Sequence, residues 1–183
     1  MWAATPYPFR TSPPRACYPR GVKLHADEVE VDESLVRRLL AAQFPSWADL
    51  PIERFDSAGT TNTIWRLGDD LSVRLPRTSY GEPPIEKERR WLPTLAPQLP
   101  LEVPVPVAPG RPGKGYPWCW SIHRWLEGEP ATMERLADPC RTARELAGFL
   151  QALRAIETTG GPLAAEHDLR GVPLSVRDAR TRE

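Results

Sequence analysis

Apolar residues recur at helical spacing from Asp32 onward, where Leu35, Val36, Leu39 and Leu40 share one face and Phe44 continues it. Asp32 is placed to cap that helix and Pro45 to stop it. The pattern then turns to alternation. Residues 52–55, 63–67 and 71–75 are short β-prone runs, separated by turn chemistry at 57–62 and at Gly68-Asp69-Asp70, which predicts an antiparallel meander. In the third run Leu71, Val73 and Leu75 alternate with Ser72 and Arg74, so Arg74 projects from the face opposite the apolar residues.

Pro84 suits the first position of a second helix, in which Ile85, Glu88 and Leu92 form one stripe over 85–92 until Pro93 kinks or ends it. Segment 97–117 is rich in Pro and Gly, with 103–107 as an edge strand, and 118–126 is an aromatic strand. Thr132 is expected to cap a short helix at 133–137. A longer helix at 141–156 carries Ala143, Leu146, Ala147, Leu150 and Leu153 at helical spacing, and Gly160-Gly161-Pro162 closes it. Residues 1–21 hold Pro6, Pro8, Pro13, Pro14 and Pro19 without an apolar period, and read as an extended, poorly ordered leader.

Charge narrows the partners. The 24 Lys+Arg and 24 Asp+Glu cancel, which implies neither a nucleic-acid footprint nor a polybasic membrane patch and favours a small-molecule partner. Proline, at 22 residues, favours loops and short elements, while seven Trp argue against simple disorder. Cys17, Cys119 and Cys140 are odd in number and lack CxxC spacing, so neither a disulfide framework nor a zinc site is supported, and a reducing cytoplasm fits. No stretch approaches the roughly 20 apolar residues of a membrane span, so no membrane partner is expected.

Four stretches in order carry candidate chemistry. Small residues at Ser57-Ala58-Gly59-Thr60-Thr61-Asn62 let a backbone approach phosphate oxygens, although a hairpin turn needs the same residues. Arg74 on its strand offers a planar cation for phosphate, and Glu88, with Glu86 as competitor, a carboxylate to hold it; solvated surface charges are the alternative. Residues 118–126 suit either a purine pocket or a core strand. His167-Asp168-Leu169-Arg170-Gly171 is not a catalytic loop, because Pro173 stands where a metal-binding Asn is needed, and Asp178 lacks a surrounding strand.

Val73-Arg74-Leu75-Pro76, Ile85-Glu86-Lys87-Glu88-Arg89 leading to Trp91-Leu92-Pro93, and the run from Tyr116 to Leu126-Glu127-Gly128 resemble the aminoglycoside phosphotransferase family. The similarity extends from about Lys23 to the end, with Arg170-Gly171-Val172-Pro173-Leu174 resembling a segment that precedes the catalytic loop. This resemblance implies an α+β, protein-kinase-like fold, with an N-terminal lobe of about five antiparallel strands plus a helix, followed by the first helices of an incomplete helical C-terminal lobe. A leader at 1–22, a nucleotide-binding lobe and hinge at 23–128, and a partial helical lobe at 129–183 would follow. It further implies an ATP- and magnesium-dependent kinase acting on a hydroxyl of a small molecule such as an aminoglycoside.

By position, Ser57, Gly59, Thr60, Thr61 and Asn62 would form the loop over the phosphates, and Arg74 the phosphate-binding cation with Glu88 as its helix partner. His123 would sit behind the adenine, and Arg124, Trp125 and Leu126 would supply the hinge backbone. The family's His-Gly-Asp motif, its metal-binding Asn and its later metal-binding Asp have no match, so no catalytic residue or metal ligand is assigned. The expectation is a truncated, inactive form that begins with a foreign leader, as an incomplete gene model would give. The competing expectation is a non-catalytic nucleotide-binding or protein-interaction fragment.

Overall fold

The structure, a computed structural model, describes residues 27–55, 59, 61–129, 131–161, 172, 173 and 175. The described residues fall into two compact units, one drawn from Met1–Glu88 and Pro106–Trp125, the other from Arg89–Val105 and Leu126–Glu183.

The first unit is built on five antiparallel strands: β1 (Ile52–Phe55), β2 (Asn62–Leu67), β3 (Leu71–Pro76), β4 (Pro106–Gly110) and β5 (Trp120–Arg124). They lie in the order β1-β2-β3-β5-β4, so the prolines of β4 sit on an edge, where a missing N–H costs least. The edge strand therefore starts three residues later than the 103–107 run predicts, and its pairing is irregular between Pro106 and Ala108. The meander is antiparallel as expected, and its register sets Ile64 opposite Arg74 and Trp65 opposite Val73. Turning Gly68 adopts φ +60, which accommodates the tight β2–β3 connection.

That register sorts the sheet into two faces. Trp65, Leu67, Val73, Leu75, Trp120 and Ile122 point one way and join Leu35, Val36, Leu39 and Leu40 of helix α1 (Glu33–Gln43) in a single core. Asp32 caps α1 by accepting from the Leu35 N–H at 2.8 Å, as its position in the sequence suggested. The opposite face carries Asn62, Ile64, Arg66, Ser72, Arg74, Ser121 and His123. Polar groups thus line the face that α1 leaves uncovered.

Helix α2 (Glu82–Leu95) starts earlier and ends later than 85–92. Pro93 lies inside it, within the last turn, where it removes the one bond to the Arg89 carbonyl and the helix runs only two residues further. Glu82 fixes its start by accepting from the Cys119 N–H at 2.8 Å, and Tyr116 Oη donates to the Pro76 carbonyl at 2.7 Å beneath it.

The second unit holds the end of α2 and helix α3 (Pro139–Ala155), which Asp138 caps through the Arg141 N–H at 2.9 Å. The expected helix at 133–137 is a turn instead: the Thr132 carbonyl accepts from Arg135 and Leu136, and the chain then bends before Asp138 restarts it. Leu146, Leu150 and Leu153 share the predicted stripe on α3 yet are 52%, 49% and 40% exposed. Among the described residues no helix is long and apolar enough to cross a membrane.

Candidate functional site

Alternation on β3 sends Arg74 to the polar face, and the position of α2 brings Glu88 to meet it: Arg74 Nη1 donates to Glu88 Oε2 at 2.7 Å. Both side chains are about three-quarters buried, at 26% and 24% exposure, so the pair is held where solvent screens it less than at an open surface. Glu88 rather than Glu86 is the carboxylate that holds this cation. Its net contribution to folding is modest, about 1 kcal/mol, but it fixes the direction of a planar charge.

Asn62 stands on β2 itself, not in the turn before it. Its amide orientation follows from the hydrogen-bond network, since only the oxygen can face N–H donors: so oriented, it accepts from Arg74 Nε at 3.3 Å and Nη2 at 3.1 Å. Of the remaining turn residues, Gly59 is exposed, and Thr61 is half-buried with its carbonyl accepting from the Arg77 N–H at 2.9 Å. Ser57 and Thr60 lie outside the described residues, as do His167, Asp168, Arg170, Gly171, Leu174 and Asp178.

On β5, His123 is buried, and its Nε2 is hydrogen-bonded to Ser121 Oγ at 2.7 Å. Ser72 of β3 lies opposite it in register. Arg124 is exposed. Trp125 packs edge-on against Phe55 with ring centroids 5.3 Å apart, and the Arg66 guanidinium lies 5.1 Å from the Trp125 ring centroid. The Trp125 N–H donates to the Asp70 carbonyl at 2.7 Å, so that amide cannot also serve a ligand. Of the three residues expected to supply a hinge backbone, Arg124, Trp125 and Leu126, Trp125 thus has its amide donor taken by the β2–β3 turn. Leu126 falls in the second unit.

Two contacts of this region had little signal in the sequence. Glu82, beside Pro83 and Pro84, reads as an ordinary acidic first-turn residue, yet it ties α2 to the β4–β5 hairpin. The Asp70 carbonyl is backbone, and only the fold brings it to Trp125. The same hairpin holds Cys119, whose thiol is pushed up from its ordinary range by burial and by the neighbouring Glu82, which makes it a poor nucleophile.

The chain matches the family model described as the phosphotransferase enzyme family, APH, over residues 52–182. Among solved structures, a GDP complex of wild-type aminoglycoside 2'-phosphotransferase-IIIa is 22% identical, covers 83% of this chain and 57% of its own, and aligns with a TM-score of 0.64. A GDP and kanamycin complex of an APH(2") enzyme is 23% identical, with 80% and 56% covered and a TM-score of 0.62. An ADP-bound APH(2'')-Ib is 16% identical, with 83% and 48% covered and a TM-score of 0.53. At these identities the likeness concerns the fold, which is that of the kinase-like N-terminal lobe. The chain spans about half the length of these structures. No curated protein matches it. With a family model covering most of its length and the kinase-like sheet in place, the chain belongs to the APH phosphotransferase enzyme family.

Proposed function

We propose that the sheet and α2 form the nucleotide-binding lobe of a small-molecule kinase, one that uses ATP with magnesium to phosphorylate a hydroxyl of an acceptor such as an aminoglycoside. The observation that carries this reading is the Arg74–Glu88 pair, a strand cation held by a helix carboxylate on the polar face of the sheet. Bound nucleotide supplies the γ-phosphoryl group. Arg74 binds phosphate oxygens through its unspent N–H groups, and Glu88 keeps the guanidinium aimed. His123 stands behind the base, and Arg124 and Trp125 carry the hinge backbone without the Trp125 N–H, which the Asp70 carbonyl holds.

Among the described residues no three His, Cys, Asp or Glu side chains cluster to hold a metal ion, and no step is assigned to one. The sequence also lacks His-Gly-Asp followed by Asn. We therefore expect these 183 residues to bind nucleotide and to turn it over negligibly. The test is the melting temperature with and without millimolar Mg-ATP: a rise that Arg74→Ala removes supports the reading, because only ligand bound to the folded state stabilises it. Absence of any rise refutes it. The exposed leucines of α3 favour a second reading, a protein-binding fragment, which predicts no response to nucleotide.

A further inference from the structure

Arg74 is held from two sides, and the second side is not a carboxylate. A guanidinium has five N–H donors in one plane, so a single acceptor on Nη1 leaves the plane free to rotate about that contact. Asn62 and Arg74 are diagonal neighbours on the polar face, since Asn62 pairs with Pro76 and Ile64 with Arg74, a spacing that long side chains bridge. The Asn62 oxygen takes the Nε and Nη2 edge, and Glu88 takes Nη1. Three of the five donors are thereby spent within the protein. One N–H on each terminal nitrogen has no partner among the described residues.

We propose that Asn62 is a positioning residue that acts through Arg74: it fixes the plane of the guanidinium so that the two remaining N–H groups are presented together to an anionic ligand. The two-sided clamp is a requirement of arginine. A lysine ammonium donates without a preferred plane and would need Glu88 alone. On this proposal Asn62 acts on the ligand through Arg74, beyond the place in the loop over the phosphates that the sequence suggested for it. This inference rests on the nucleotide reading for the identity of the ligand, but the clamp itself can be tested without one.

The experiment is a double-mutant cycle on Mg-ATP affinity, with Asn62→Ala made in both the Arg74 and the Arg74→Ala backgrounds. With Arg74 present, Asn62→Ala weakens binding about tenfold, the scale of a hydrogen bond to a charged group; with Ala at 74 it weakens binding less than about twofold. Equal losses in both backgrounds, or no loss in the first, overturn the proposal. Alongside, the Arg74 Nε–H resonance of the ligand-free protein is recorded. In the wild type it is protected from exchange with water, Asn62→Ala exposes it, and Asn62→Asp, which keeps an acceptor oxygen, restores it. A resonance that Asn62→Ala leaves unchanged overturns the clamp whether or not nucleotide binds. Failure of the wild type to bind Mg-ATP refutes the nucleotide reading alone.

Discussion

Gly110, the last residue of β4, lies against the fully buried ring of Trp120, its partner in register. A Cβ built at Gly110 would stand 2.1 Å from Trp120 Cε2 and 2.2 Å from Cδ2, against ordinary contacts of 3.4 Å or more, so Gly110→Ala forces the ring or the strand to move by over an ångström. The ring cannot yield cheaply: it meets Phe44 edge-on at 5.5 Å and donates its Nε1–H to the Arg111 carbonyl at 3.0 Å. Overpacking of this kind costs about 1–3 kcal/mol, and loss of the indole hydrogen bond adds about 1 kcal/mol. A total of roughly 2–4 kcal/mol should lower the melting temperature by at least about 8 °C in a unit of this size. Gly148→Ala is the control, because nothing lies within 4 Å of its Cβ on α3 and helix propensity alone should stabilise by about 0.5–1 kcal/mol. Thermal unfolding followed by tryptophan fluorescence and far-ultraviolet dichroism reads both variants. A Gly110→Ala protein as stable as the wild type would refute the placement of Trp120 across β4, and with it the pairing that leads β5 into Trp125.

Two further predictions concern pH. The Leu35 N–H and the Ser34 hydroxyl hold the Asp32 carboxyl below its ordinary value, so its stabilisation is present at neutral pH and is lost as pH falls through the lowered value. Asp32→Ala should cost about 1 kcal/mol at pH 7, and the gap to wild type should close below about pH 4; a gap independent of pH would contradict the cap. Burial first, and the nearby Glu82 second, push the Tyr116 hydroxyl up, so its stabilisation is complete below about pH 10 and is lost as the pH rises past the tyrosine's unfolded value. Tyr116→Phe leaves the Pro76 carbonyl without this donor and should cost about 1–3 kcal/mol at pH 7, with the gap narrowing above about pH 10. Equal alkaline sensitivity of the two proteins would contradict the buried hydrogen bond.

The meander, the capped α1 and the outward turn of Arg74 were legible because each follows from a local period: alternation fixes the faces of β2 and β3, and a 3.6-residue repeat fixes the stripe of α1. The meeting of Arg74 with a carboxylate needed one further step, that a phosphate-binding cation on a strand is held by a helix carboxylate, and that step left Glu86 and Glu88 as alternatives. What could not be read depends on contacts distant in the chain. Proline at 93 removes one bond, to the Arg89 carbonyl, and α2 ends two residues beyond it, so the stop that the residue type signals is delayed rather than absent. Thr132 has the residue type of a cap, but Asp138-Pro139 beyond it offers the better start. The bond from the Trp125 amide to the Asp70 carbonyl left no trace in sequence. Asn62 was assigned to the turn by its residue type, whereas the register places its amide beside a cation.

The central claim, that Arg74 and Glu88 prepare the polar face for the phosphates of a nucleotide, is tested most directly by calorimetric titration with Mg-ATP and with adenosine. Wild type should bind Mg-ATP, and Arg74→Ala should weaken that binding at least about tenfold, since charge-assisted contacts to phosphate are lost. Adenosine should bind both proteins equally. Mg-ATP affinity unchanged by Arg74→Ala, or no binding by the wild type at millimolar concentration, would contradict the account.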